Sequence, residues 1–282
     1  MLFLQQLRGE LRKLFARPRT WMGYGAFILM EAVILFVYKL DALKRINKGI
    51  MDRNGLDFST YYSSLSVTFA IMLFSMFLLG SIYFALVSGD IVAKEDEDGN
   101  LRLVFARPIS RLRLLLVKYT AVSLYTFSFV FFVGITGYAM AVAAIGWEGG
   151  LFVMVPKMKV FAAYPHWAEG AGRLSMAAVG IGISMITLSS MAFMFSCFRI
   201  KPSAATIITL TILFVDMILR EFPIFEPYES YFITWRMSAW LFLMEQHISW
   251  PKIIESYAFL TGLNFTFFTI GWLSFQTRDF KT

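Results

Sequence analysis

The sequence has few of the residues on which redox and metal chemistry depend. Its 282 residues include one cysteine, Cys197, and two histidines, His166 and His247. A single cysteine cannot form an internal disulfide, and these three residues lack the clustered spacing of a zinc site. We therefore expect neither a disulfide nor a metal centre in this chain.

Sequence motifs of nucleotide-binding and hydrolytic enzymes are also missing. The chain has no Gly-x-x-x-x-Gly-Lys-Ser/Thr segment, and neither Gly-x-Ser-x-Gly nor His-Glu-x-x-His occurs. A P-loop, a serine nucleophile elbow and a zinc protease helix are thereby excluded. We expect no catalytic residue and no cofactor here, so any ATP must be hydrolysed by a partner protein.

Charged residues are scarce and apolar ones abundant. Charged residues make up 16% of the chain and hydrophobic ones 58%, against about 25% charged in soluble domains. Runs such as Leu65 to Val87 are apolar on every side, which favours helices of bilayer length over alternating strands. The net charge of +7 then indicates orientation signals and contact with anionic membrane lipid, and not nucleic-acid binding. The predicted class is an all-α polytopic membrane protein.

The whole chain, 1–282, is predicted to form a single transmembrane domain with six spans. The start, 1–19, repeats Leu4, Leu7, Leu11 and Phe15 at helical spacing and should form an amphipathic elbow helix on the membrane surface. We expect the first span to be retained, because no signal-peptide cleavage site precedes it. The predicted spans are about 21–38, 65–88, 114–145, 174–198, 203–219 and 254–275.

The segments between the spans differ in character. We expect an aqueous loop at 39–62 and an external loop at 146–173. The segment 221–252 combines prolines with many aromatic residues, which favours external interfacial or re-entrant helices before the last span. A modest excess of Lys and Arg on the N-terminal side assigns both termini to the cytoplasm.

One connecting segment is patterned unlike any other. Between the second and third spans, five acids (Asp90, Glu95, Asp96, Glu97 and Asp98) precede Gly99 and a short basic helix containing Leu101 and Arg102. A solvated loop is one interpretation. Acids in this number are not needed for orientation, so docking onto another protein is the favoured interpretation.

This segment resembles the permease signature of the ABC-2 type transporters. The similarity lies in the acids, then Gly-Asn-Leu-Arg-Leu-Val, then Ala-Arg-Pro-Ile-Ser-Arg, then Lys118; Asn100 stands where threonine is more usual. The resemblance implies a six-span exporter subunit in the cytoplasmic (inner) membrane of a prokaryote. Its partners would be a second permease copy or related permease and a cytoplasmic ATPase, which binds ATP and Mg.

The resemblance also implies which residues couple to the ATPase. The segment 89–113 would hold a coupling helix that sits in a groove of the ATPase. The implied coupling residues are Asp90, Glu95, Asp96, Glu97, Gly99, Leu101 and Arg102.

Two acids fall at membrane depth, where ionisable groups are costly and often functional. Asp216 lies near a span end and is predicted to pair with Arg220 at i and i+4. Glu31 lies deeper and must face a cavity, be protonated or bond to another helix. Two rivals to the transporter subunit follow: an ATP-independent carrier that uses Glu31 as a proton or ion site, and a membrane scaffold that recruits cytoplasmic proteins.

Overall fold

The computed structural model describes residues 2–105 and 109–278, except for the side chains of Arg102 and Phe105. Within these ranges six helices are long and apolar enough to cross a membrane. This confirms the predicted class, an all-α polytopic membrane protein with six spans. The six helices are Pro18–Lys39 (α2), Ser64–Glu97, Arg111–Ile145 (α8), Trp167–Ser196 (α9), Pro202–Arg220 (α10) and Trp250–Gln276 (α12).

The predicted amphipathic start is helix α1, Leu2–Ala16. Leu7 and Leu14 are buried, and the helix packs against α8. Leu4, about one turn before Leu7 on the predicted apolar stripe, stays 68% exposed. The chain turns at Arg17, because Pro18 fixes the backbone as the first residue of the next helix.

The second span continues far beyond its predicted end. It consists of α5 (Ser64–Ser75), a π-helical turn (Met76–Gly80) and α6 (Ser81–Glu97). At 1.5 Å per residue this 34-residue helix is about 50 Å long, against about 30 Å of hydrocarbon. The helix continues for nine residues beyond Ser88, the predicted end of the span, to Glu97. A Cβ on Gly89 would lie 2.9 Å from Thr206 Oγ1, so glycine permits close packing of α6 on α10.

The connection to the third span is largely helical too. Gly99 has a φ of +72°, which suits glycine, and it separates α6 from the short helix α7, Asn100–Phe105. Residues 106–108 lie outside the described residues. Ser110 then caps α8, its Oγ accepting a hydrogen bond from the Arg113 N–H at 3.3 Å.

The connections after the first and third spans contain structure that the sequence analysis missed. The predicted aqueous loop holds α3 (Asp41–Arg53) and the short α4 (Phe58–Tyr61). The loop after α8 forms an antiparallel hairpin, β1 (Leu151–Val155) with β2 (Val160–Tyr164). Residues of the hairpin alternate between buried and exposed, as in a strand pair with one face on the protein.

The segment before the last span is a series of short helices, as predicted. A 3-10 helix at Pro223–Tyr231 leads into α11 (Ile233–Met237) and a second 3-10 helix at Ser238–Met244. The second one is buried against α9 and α12.

The alternating spans define two ends of the bundle. We call the end that carries Arg19, Glu97 and Arg111 the ionic end, and the end that carries Tyr38 and the β-hairpin the hairpin end. Helix α9 is the centre of the fold, since it packs against α6, α8, α10 and α12.

Candidate functional site

The acidic segment separates into buried and exposed carboxylates. Asp90 and Glu95 lie on the inner face of α6 and are buried, whereas Glu97 and Asp98 at its end are exposed. Lys94 pairs with both exposed acids, at 2.9 Å and 3.2 Å. The five acids therefore do not form one surface.

Lys118 of α8 holds the buried part together. Its side chain is 0% exposed. Its Nζ lies 2.8 Å from Glu95 Oε2 and 3.1 Å from Glu10 Oε2, and it donates to the carbonyl oxygen of Ile91 at 3.3 Å. Because a buried ammonium is costly without partners, this geometry links α8, α6 and α1 at one point.

Lys13 completes the cluster from the solvent side. Its Nζ lies 2.9 Å from Glu10 Oε1 and 3.3 Å from Glu95 Oε1. Burial alone would raise the pKa of Glu10, but the Lys118 and Lys13 ammonium groups outweigh it and lower that pKa below its usual value. Burial likewise opposes the charge on Lys13, and the carboxylates of Glu10 and Glu95 raise its pKa. Glu10 and Lys13 are thus charged near neutral pH.

Two further ion pairs anchor the same end of α6. Asp90 pairs with Arg19 at the start of α2, and Asp96 pairs with Arg278 after α12 at 2.9 Å. The end of α6 is therefore tied to α1, α2, α8 and the segment that follows the last span. These ties are long-range contacts that no local pattern in the sequence encodes.

Helix α7 presents one apolar side chain outward. Leu101 is buried and fixes the helix to the body, while Leu103 is 72% exposed and Val104 is half-buried. Two open grooves of about 350 and 470 Å³ flank α7 and separate it from α1. Leu103 lines the first groove and Val104 lines both, and the side chain of Arg102 lies outside the described residues.

Comparison with known families agrees with this architecture. The family described as "ABC-2 family transporter protein" matches residues 6–216. The chain belongs to the ABC-2 transporter family. It is a multi-pass membrane protein and the membrane component of an ABC transporter. The match includes α1, the ionic cluster and five spans; no curated protein matches the chain.

Glu31 of this permease is enclosed by protein. It is fully buried, and its Oε1 accepts a hydrogen bond from Thr136 Oγ1 of α8 at 2.9 Å. Of the three environments considered from the sequence, the structure shows the bond to another helix. Its Oε2 has no hydrogen-bond partner among the described residues.

The predicted pair of Asp216 with Arg220 is not formed. Asp216 instead accepts hydrogen bonds from the backbone N–H groups of Ile233 and Thr234, at 3.0 and 2.8 Å, and from Thr234 Oγ1 at 2.6 Å. These three donors lie at the start of α11, whose free N–H groups attract a carboxylate. Asp216 therefore fixes the short helices to the fifth span.

Sequence reasoning missed the partners of the acids and the outward residue of α7. The sequence alone does not distinguish Glu10, Lys13 and Arg19 from the other residues of a basic amphipathic helix. One signal was present: Lys118 lies in an apolar helix, and a lysine there needs a carboxylate nearby. Leu103 could not be distinguished from Leu101 without the helix orientation.

Proposed function

We propose that this chain is the permease subunit of an ABC exporter and that α7 is its contact with a cytoplasmic ATPase. Two copies, or this chain with a related one, would form the substrate pathway. The observation that carries the proposal is the exposed Leu103 on a short helix at the end of a membrane-spanning helix. A leucine that is exposed on a helix beyond the end of a span would be stabilised by a pocket on a partner protein.

The ion pairs support a route for coupling. A force that the ATPase applies to Leu103 would be transmitted through Leu101 and the Gly99 turn to α6. The buried Glu95–Lys118 pair would then move α8 with α6, and Glu10 would carry α1 along. ATP binding and hydrolysis in the partner would in this way tilt two spans together.

The division of the acids refines which residues dock. Glu97 and Asp98 are exposed next to α7 and suit a basic rim on the ATPase, where charges steer association. Asp90, Glu95 and Asp96 are bound to basic residues of other elements, whereas Glu97 and Asp98 pair with Lys94 of their own helix; we therefore assign the first three to positioning. Docking then rests on Glu97, Asp98 and Leu103, with Gly99 and Leu101 holding α7 in place.

Pull-down of the intact chain in mild detergent, followed by mass spectrometry and an ATPase assay, tests the proposal. We expect a P-loop ATPase to co-purify with the wild-type chain. The double variant Glu97→Lys/Asp98→Lys should lose it while remaining folded and monodisperse.

The matched control is Glu148→Lys/Glu226→Lys, which reverses two exposed acids at the hairpin end. It should retain the ATPase. Equal retention by both double variants would refute docking through the end of α6. Substrate transport by the purified chain without any ATPase would favour the ATP-independent carrier instead.

A further inference from the structure

Basic residues at both ends of the permease pair with carboxylates of the same chain; at the hairpin end Lys157 pairs with Glu221 and Arg236 with Glu255. At the ionic end, Lys13, Lys94, Lys118, Arg19 and Arg278 all pair with carboxylates of the same chain. At the hairpin end, α3 carries Lys44, Arg45, Lys48 and Arg53. In the described part of the chain none of these four forms an ion pair. Helix α3 therefore presents cationic groups that the protein itself does not neutralise.

Helix α3 is amphipathic, with a charged face and an apolar side. At 100° per residue, Lys44, Arg45 and Lys48 share one face with Asp41 and Asp52. The opposite side carries Leu43, Ile46 and Ile50, and Met51 lies beside Lys44 at the edge of the charged face. Met51 is fully buried against the protein, whereas Ile46 is 57% exposed. Only part of the apolar side is thus covered by protein, and its outer edge is free.

The chain places α3 at the level of the membrane surface. Only Leu40 separates it from the end of α2 at Lys39. Aromatic pairs lie at the same end of the spans: Tyr38 stacks on Tyr62 at 5.2 Å, and Trp147 contacts Trp167 at 5.4 Å. Such aromatic residues mark the boundary between hydrocarbon and water. A helix that begins three residues after Tyr38 starts in this interface.

We infer that α3 is an interfacial helix that docks onto the anionic lipid headgroups of the leaflet at the hairpin end. Ile46 enters the acyl region, and Lys44, Arg45 and Lys48 bind lipid phosphates. Charge complementarity supports this occupant, because cationic side chains above an apolar edge match a phosphate layer above hydrocarbon. The site is independent of ATPase docking, since it lies at the opposite end of the spans.

Site-directed fluorescence on the full chain tests the depth of α3. Ile46→Cys and Lys48→Cys variants, labelled with an environment-sensitive dye, are placed in nanodiscs of 3:1 phosphatidylcholine and phosphatidylglycerol. The unlabelled parent, whose Cys197 is buried, gives the background. The dye at position 46 should be quenched by brominated acyl chains and shielded from iodide, and the dye at position 48 should show the reverse. Equal iodide quenching at both positions would place α3 in water, and shielding from both quenchers would mean a protein cover; either result overturns the inference.

Lipid retention tests the headgroup contact separately. Native mass spectrometry should show wild-type chain retaining phosphatidylglycerol over phosphatidylcholine. The Lys44→Gln/Arg45→Gln/Lys48→Gln variant should lose that preference, by roughly fivefold in affinity for each charge removed. Lys159→Gln, which removes an exposed cation in the hairpin turn, is the control and should keep it. An unchanged preference in the triple variant would contradict the assignment of these residues to lipid phosphates.

Discussion

Replacing Lys118 by methionine should be among the most damaging single changes at the ionic end. Methionine has a similar length but lacks the ammonium, so the change removes the ion pairs with Glu95 and Glu10 and the hydrogen bond to the Ile91 carbonyl oxygen. Glu95 is buried and would then retain only Lys13 at 3.3 Å, while Glu10 would keep Lys13 at 2.9 Å. Removing one partner of a buried ion pair costs about 3–5 kcal/mol. Because Lys13 partly compensates, we expect the lower end of that range.

Lys94→Met is the matched control for this change. Lys94 also contacts two carboxylates, Glu97 and Asp98, but at the surface, where such pairs contribute about 0–1 kcal/mol. Thermal unfolding in detergent, followed by size-exclusion fluorescence, should show a melting temperature lowered by at least about 5 °C for Lys118→Met and by under about 3 °C for Lys94→Met. Adding Glu95→Gln to Lys118→Met should recover part of the loss, because the uncompensated buried charge is removed.

Equal effects of the two lysine variants would refute this reasoning. The buried cluster would then contribute no more than a solvent-exposed pair. The proposed transmission from α6 to α8 would lose its physical basis.

Four further outcomes follow from the same contacts. Leu103→Ala should weaken ATPase binding by about 2 kcal/mol, roughly 30-fold in Kd, while Leu4→Ala, equally exposed, should not change affinity in the same binding assay. Gly180→Ala should lower the melting temperature, since a Cβ there lies 2.7 Å from Tyr257 Oη and 2.8 Å from Trp240 Cβ; Gly262→Ala, with open space, should not. Asp216→Ala should speed proteolysis of 221–252 more than Asp216→Asn, which keeps one acceptor for α11; equal rates would exclude the cap. Because the pKa of Glu10 is lowered, the stabilisation from its ion pairs is full above about pH 4.5 and is lost as the pH falls further. The accessibility of a cysteine on α1 to a labelling reagent should therefore rise below that pH. An accessibility that does not change with pH would count against the cluster.

The number and class of the spans could be predicted because hydropathy over about 20 residues is a local property of the chain. The amphipathic α1 was equally accessible, since Leu7, Leu11 and Phe15 repeat at helical spacing. The β-hairpin was not predicted from the sequence. In the structure its strands, Leu151–Val155 and Val160–Tyr164, alternate in burial. Its strands are apolar on both faces in sequence, so only the structure distinguishes which face is covered.

The candidate site was predicted in position but not in arrangement. The pattern of acids, glycine and a basic helix located the segment, and those residues are local. Burial of Asp90 and Glu95 depends on Arg19 and Lys118, which are distant in sequence. The error at Asp216 has a similar origin: helical spacing favoured Arg220, and the unpaired N–H groups of α11, supplied by another segment, bind the carboxylate instead.

Site-specific photo-crosslinking from position 103 tests the central claim most directly. The full chain, carrying benzoylphenylalanine at Leu103 or at Leu4, is irradiated in its native membrane, and the crosslinked partners are identified by mass spectrometry. We predict a P-loop ATPase crosslinked from position 103 and not from position 4. Crosslinks from position 103 to lipid or to the permease alone, with no ATPase, would contradict the assignment of α7 as the coupling contact.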